Sequence, residues 1–141
     1  MTDFQLIADR VEIEALRGEF TDAATMGDFD RLAALFTPDG ALRMPNVPVE
    51  LVGHEQMRAW GERRDAFVEL FVQQTHPGSI RLDGDTATGR AYMQEVIKTR
   101  DGQWHRNFAI YHDRYARTAD GWRFTERVYE VRLLDEDRPE K

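Results

Sequence analysis

Leu82-Asp83-Gly84-Asp85-Thr86, Thr99-Arg100-Asp101-Gly102-Gln103 and Thr118-Ala119-Asp120-Gly121-Trp122 punctuate the second half of the chain at intervals of 18 and 19 residues. Asp-Gly between apolar-rich runs is a strong hairpin signal, because glycine reaches φ > 0 without a Cβ clash. The turns divide this half into Thr75–Leu82, Thr86–Thr99, Gln103–Thr118 and Trp122–Leu133, and three of the four read as long strands. They carry β-branched and aromatic residues such as Val96, Ile97, Phe108, Ile110, Tyr111, Phe124 and Tyr129. Long antiparallel strands twist and curl, and a curled sheet has a hollow face that something must fill.

The filler is expected upstream. Residues 4–26 read as an amphipathic helix with Phe4, Ile7, Val11, Leu16, Phe20 and Ala23/Ala24 on one stripe, started by Thr2 or Asp3. Gly27 ends it, and Asp28 caps a short helix with Phe29, Leu32, Leu35 and Phe36. Thr37-Pro38-Asp39-Gly40 predicts a turn. Short strands follow at Ala41–Met44 and Glu50–Val52, and a third helix from His54 to Val72 has the stripe Met57, Trp60, Phe67, Leu70 and Phe71. Residues 1–133 make one domain, and the charged segment 134–141 reads as a frayed tail. The order predicts an α+β, cone-shaped fold: three N-terminal helices packed in a strongly curved antiparallel meander, with an internal pocket.

Composition removes several function classes. The net charge of −7 and the scattered distribution of the 19 Lys and Arg argue against a nucleic-acid surface. Without cysteine there are no disulfides, thiolate metal sites or cysteine nucleophile. The four histidines lack metal-ligand spacing, so neither a metal nor another cofactor is expected. Glycine-rich nucleotide loops and a Gly-x-Ser-x-Gly elbow are also missing from the sequence. No apolar run reaches the length of a membrane span, and the charged start is unlike a signal peptide; a cytoplasmic location is the expectation.

Turn geometry predicts which strand residues share a face. Three-residue loops at Arg100–Gly102 and Ala119–Gly121 would pair Thr99 with Gln103 and Thr118 with Trp122. Ala91, Met93, Glu95, His105, Asn107, Ala109, Tyr111, Asp113, Arg127 and Tyr129 then look one way; two-residue loops would change that set. A two-residue turn at Asp83-Gly84 adds His76 to the same side. This small, polar-centred face is assigned to the pocket. The opposite face carries Tyr92, Val96, Phe108, Ile110 and Phe124, which predicts a homodimer packed sheet to sheet.

Gly27-Asp28-Phe29-Asp30 running to Thr37-Pro38-Asp39-Gly40, Val52-Gly53-His54-Glu55, Thr75-His76 and Asp120-Gly121-Trp122-Arg123-Phe124 resemble the nuclear transport factor 2-like superfamily. The nearest branch is the SnoaL-like one, with polyketide cyclases, scytalone dehydratase and lindane dehydrochlorinase. The resemblance spans residues 4–133 and implies the cone with its pocket. It also implies a cofactor-independent dehydratase, isomerase or cyclase acting on a small hydrophobic ring compound such as a polyketide or steroid fragment. The alternative is a non-catalytic binding or oligomerisation module of the same fold.

By that resemblance His76 is the catalytic base, and imidazole suits proton transfer near neutral pH. The other reading of His76 is a loop tether. Dehydratase-type members orient the histidine with an aspartate near the end of the first helix. Here that position holds Thr25, which brings no charge; Asp22, one turn earlier, is the substitute, or else a solvated carboxylate. Arg127 falls where the dehydrochlorinase type has a pocket arginine, with an ion pair to Asp113 as the competing explanation. Tyr111 and Asn107 are expected to touch substrate, Met93 shares their face, and Trp60, Phe67 and Phe71 would form apolar walls. Glu95, inward on a central strand, would have a raised pKa suited to acid–base work.

Overall fold

The computed structural model describes residues 3–137. Its elements are α1 (Asp3–Met26), α2 (Phe29–Ala34), β1 (Phe36–Met44), β2 (Val49–Val52), α3 (His54–Phe67), β3 (Val68–Asp83), β4 (Thr86–Thr99), β5 (Trp104–Thr118) and β6 (Gly121–Asp137). Thr2, a proposed start of the first helix, and residues 138–141 of the expected tail lie outside the described residues; 134–137 extend β6. Gly27, at φ 72°, ends α1, and the Asp28 carboxylate accepts from Arg31 N at 3.1 Å to cap α2.

One six-stranded sheet runs in the order β2-β1-β6-β5-β4-β3. β3 to β6 form the antiparallel meander, and β1 joins its far side parallel to β6. The helices do not form one N-terminal block, because β1 and β2 come between α2 and α3. The Thr37–Gly40 turn is an excursion within β1: Phe36 pairs with Phe124, and pairing resumes only at Ala41 with Glu126. The third helix stops at Phe67, five residues short of the expectation. From Val68 the backbone is extended, and Leu70 and Phe71 pair with Lys98 and Ile97 of β4. A β-branched, alternating run beside a free strand edge gains more from the ladder than from another helical turn.

α1 fills the hollow with Ile13, Leu16, Phe20, Ala23 and Ala24. The first half of the expected stripe does not: Phe4, Ile7 and Val11 are 83 %, 57 % and 63 % exposed. Their core-facing places go to Asp9 and Arg17, both buried because the sheet supplies partners. Arg117 forks onto Asp9 with two 2.8 Å bonds, and Trp122 Nε1 donates to it at 3.2 Å. The guanidinium bond outweighs burial and holds the Asp9 carboxyl down at about 2.

Single-residue irregularities decide which side chains face inward. Thr118 pairs with Gly121 across a two-residue loop, one position off the expected register. A bulge at Thr125 between the Tyr115–Phe124 and Arg114–Glu126 pairs restores the expected register, so Tyr111 meets Tyr129 and Asp113 meets Arg127. Beyond the bulge Phe124 belongs to the inner face and is 0 % exposed, against its expected place outside. At the other edge Asp83 pairs with Thr86, and a slip at Pro77-Gly78 moves the register between Ser79–Arg90 and His76–Tyr92. Proline cannot donate to the ladder, and a Cβ on Gly78 would lie 1.8 Å from Arg90 O, so the backbones meet there as only glycine allows. His76 consequently shares its face with Tyr92, outside the cone, and is exposed.

Phe124 provides the test of this parity. Phe124→Ala should lower the unfolding free energy by about 3–5 kcal/mol in urea titrations; an outward Phe124 would cost under about 0.5 kcal/mol.

Candidate active site

Between α1, α2, α3 and the concave face of the sheet lies a cavity of about 620 Å³. Phe20, Phe29, Leu32, Trp60, Phe67 and Phe71 wall it, with Phe67 still 48 % exposed. Gln73, Glu95, Asn107, Tyr111 and Tyr129, from four adjacent strands, contribute its polar side. Their meeting follows from the register: Gln73 opposite Glu95, Glu95 opposite Asn107, and Tyr111 opposite Tyr129.

Glu95 is the focus of this group. Gln73 Nε2 and the Tyr129 hydroxyl each donate to its carboxylate at 2.8 Å, and Asn107 Nδ2 at 3.5 Å. Burial pushes its pKa up; the donors and the more distant Arg64 guanidinium oppose that but do not overcome it. Burial and the nearby Glu95 charge likewise raise the Tyr111 and Tyr129 hydroxyls, which therefore stay protonated and able to donate. Arg64 reaches the cavity stacked between the Phe29 and Phe71 rings, at 4.7 and 4.4 Å, while its Nη1 donates to Ala24 O at 2.9 Å near the end of α1.

The structure separates the residues expected to form a catalytic pair. His76 points away from the cavity, with Gln94 Nε2 as its polar contact at 3.3 Å. Asp22 is exposed on α1 and accepts from Arg31 Nη2 at 2.7 Å, the solvated alternative. Thr25 faces Gln73: its hydroxyl accepts from Gln73 N at 3.1 Å and donates to Gln73 O at 3.4 Å. Arg127 does not line the cavity. It is 0 % exposed and forks onto Asp113 at 2.7 and 3.0 Å, the ion-pair alternative. Its guanidinium lies 3.9 Å from the Tyr111 ring centroid, so it bears on the cavity through that ring. Met93 is buried in the core without lining the cavity. Trp60, Phe67, Glu95, Asn107 and Tyr111 do line it.

Gln73 and Thr21 escape the sequence reading. Thr21 donates to Gln73 Oε1 at 2.9 Å, which turns the amide so that its nitrogen faces Glu95. Gln73 was hidden by extending the third helix to Val72; the alternation after Phe67 was the available signal. Among the described residues no three His, Cys, Asp or Glu side chains gather as metal ligands, and no helix is long and apolar enough to cross a membrane.

A family model described as SnoaL-like domain matches residues 5–128. An uncharacterized protein of Mycobacterium tuberculosis, Rv2910c, is 28% identical over 124 residues, covering 86% of this chain and 84% of its own. The solved structure of a hexachlorocyclohexane dehydrochlorinase (LinA) of type 2 superposes with a TM-score of 0.90 at 14% identity, over 99% of this chain and 95% of that one. A candidate scytalone dehydratase from Novosphingobium aromaticivorans gives 0.84 at 19% identity, over 99% and 94%. At these identities the two structures establish a shared fold.

The raised Glu95 pKa has a stability consequence. The native chain holds this proton at pH values where the unfolded chain has lost it, so stability falls as pH rises from the ordinary carboxylate value of about 4.3 through the raised one. Glu95→Gln should remove that part of the slope. Urea unfolding of both proteins across pH 4 to 8 reads it as a gap in favour of the variant that widens with pH, in the range set by these carboxylate values.

Proposed function

The chain belongs to the SnoaL-like domain family, and we propose that its cavity is the active site of a cofactor-independent acid–base enzyme of the dehydratase, isomerase or cyclase type. The single observation that carries this is Glu95: a carboxyl group of raised pKa in an apolar-walled cavity, surrounded by neutral donors. A carboxylate with a pKa brought toward neutrality can take a proton from carbon and return it nearby, with an acceleration of about 10²–10⁴. The substrate class is a small hydrophobic ring compound bearing a carbonyl or a leaving group beside an acidic C–H, such as a polyketide or steroid-like molecule. Trp60, Phe67 and Phe71 supply a wall for the ring. Tyr111 supplies a hydroxyl donor for oxygen charge that develops as the proton leaves, while Tyr129 and Asn107 direct their donors to Glu95. Glu95 takes the role that the resemblance gives to His76, while Gln73, anchored by Thr21 and Thr25, orients it.

Binding without turnover is the second reading. Its support is that both Glu95 oxygens already accept protein donors. Incubation of ring ketones with the protein in D₂O, followed by NMR, separates the two. Catalysis gives exchange at carbon that Glu95→Gln slows by about 10²–10⁴-fold and His76→Ala leaves within about twofold. Saturable binding without exchange would reject the enzymatic reading. Exchange lost in His76→Ala instead would reject Glu95 as the proton carrier.

A homodimer is proposed on separate grounds. Val72, Tyr92, Phe108 and Leu133 remain 37 to 56 % exposed across the outer face of four adjacent strands. A second copy of the same face would cover them. Light scattering should return twice the chain mass at micromolar concentration, and Phe108→Lys should shift it toward the monomer. A monodisperse monomer would reject the dimer.

A further inference from the structure

The outer face of the sheet has a second concavity, of about 390 Å³, lined by Ser79, Arg81, Thr88, Arg90, His112 and Arg114 with Glu126 beside them. The register explains the clustering. Arg81 and Arg114 flank Thr88 on either side, and Ser79 and His112 flank Arg90 in the next outward row. With strands about 4.8 Å apart and about 6.8 Å between alternate residues, three arginine stems start within about 10 Å of one another. Like charges so placed repel and are ordinarily interleaved with carboxylates. Here neither Arg81 nor Arg90 has an ion-pair partner among the described residues. Glu126 is held by Arg43 at 3.0 Å and stands 3.8 Å from Arg114, and His112 is held by Glu130 at 2.7 Å. A chain of net charge −7 thus keeps two guanidinium groups, Arg81 and Arg90, without an ion-pair partner among the described residues at a concave spot, next to a third that shares Glu126 with Arg43.

Thr88 stands between Arg81 and Arg114, and Ser79 stands beside Arg90, so two short hydroxyl side chains lie among the arginine stems. Several guanidinium forks rooted around one concave spot suit a tetrahedral oxyanion, whose oxygens can each accept a bond from a different fork, better than a planar carboxylate that one fork satisfies. We propose that this concavity binds the phosphate group of a small soluble phosphomonoester. It lies apart from the cavity around Glu95, on the opposite face of the sheet, and does not depend on the chemistry assigned there.

The test is NMR titration of the ¹⁵N-labelled full chain with inorganic phosphate, glycerol 3-phosphate and acetate at matched ionic strength. Both phosphates should give saturable shifts confined to amides around 79–81, 88–90 and 112–114. Arg81→Ala/Arg90→Ala should weaken them at least tenfold with the rest of the spectrum unchanged. If that double variant misfolds, Arg114→Gln, on an exposed side chain, should weaken them at least threefold. Shifts that never saturate, an affinity unchanged in a folded variant, or acetate matching phosphate would each overturn the proposal. So would binding of inorganic phosphate that glycerol 3-phosphate cannot displace.

Discussion

Four neighbouring strands of 14 to 17 residues cannot lie flat, and the curl they adopt creates a hollow that the rest of the chain must occupy. Alanines at 87, 91 and 109 on the concave side leave room for α1, which enters with Phe20 among the Tyr111, Phe36 and Phe124 rings. α1 does not fill the hollow completely. The remaining space is closed by α2, α3 and the start of β3, whose aromatic side chains meet over a polar patch of sheet. The cavity is therefore a consequence of how the cone is closed.

Asp113 and Glu95 are both buried carboxyl groups on the sheet, and their different partners explain why chemistry is assigned to one of them. Asp113 receives a bidentate Arg127, the Tyr115 hydroxyl at 2.6 Å and the nearby Arg17, whose Nε lies 3.7 Å away. That carboxylate is neutralised and fixed, and removing one partner of such a pair costs about 3–5 kcal/mol. Its role is to tie α1 to β5 and β6. Among the described residues Glu95 has no cation in hydrogen-bond contact; its direct partners are an amide, a second amide and a phenol. Neutral donors offset only part of its desolvation, which leaves the proton affinity high. Structural and chemical carboxylates are thus distinguished by whether a guanidinium reaches them.

Fold and site are specified separately in this molecule. The cone is shared with the dehydrochlorinase at 14% identity, so most of its particular side chains can change while the backbone arrangement stays. The contents of the cavity depend on single positions. Thr25 meets Gln73, and this uncharged pair acts on Glu95 one strand further in. An acid–base role can move between side chains of one cavity while the backbone stays in place.

The sequence by itself determined the hairpins, the long strands, the helices and the apolar character of the walls, because these follow from local periodicity and from glycine at the turns. It also carried the Glu95, Asn107 and Tyr111 constellation, since those positions count back directly from the Asp101-Gly102 turn. Tertiary structure decided whatever depended on a single-residue slip. The two-residue turn before β6 put Phe124 inside, the bulge at Thr125 returned Arg127 and Tyr129 to the interior, and the slip at Pro77-Gly78 sent His76 outside. Side chains alternate with a period of two, so one extra residue reverses every face beyond it. Bulges arise where one strand must bend around its neighbour and the helix beneath. That constraint involves segments distant in sequence, and no local pattern contains it.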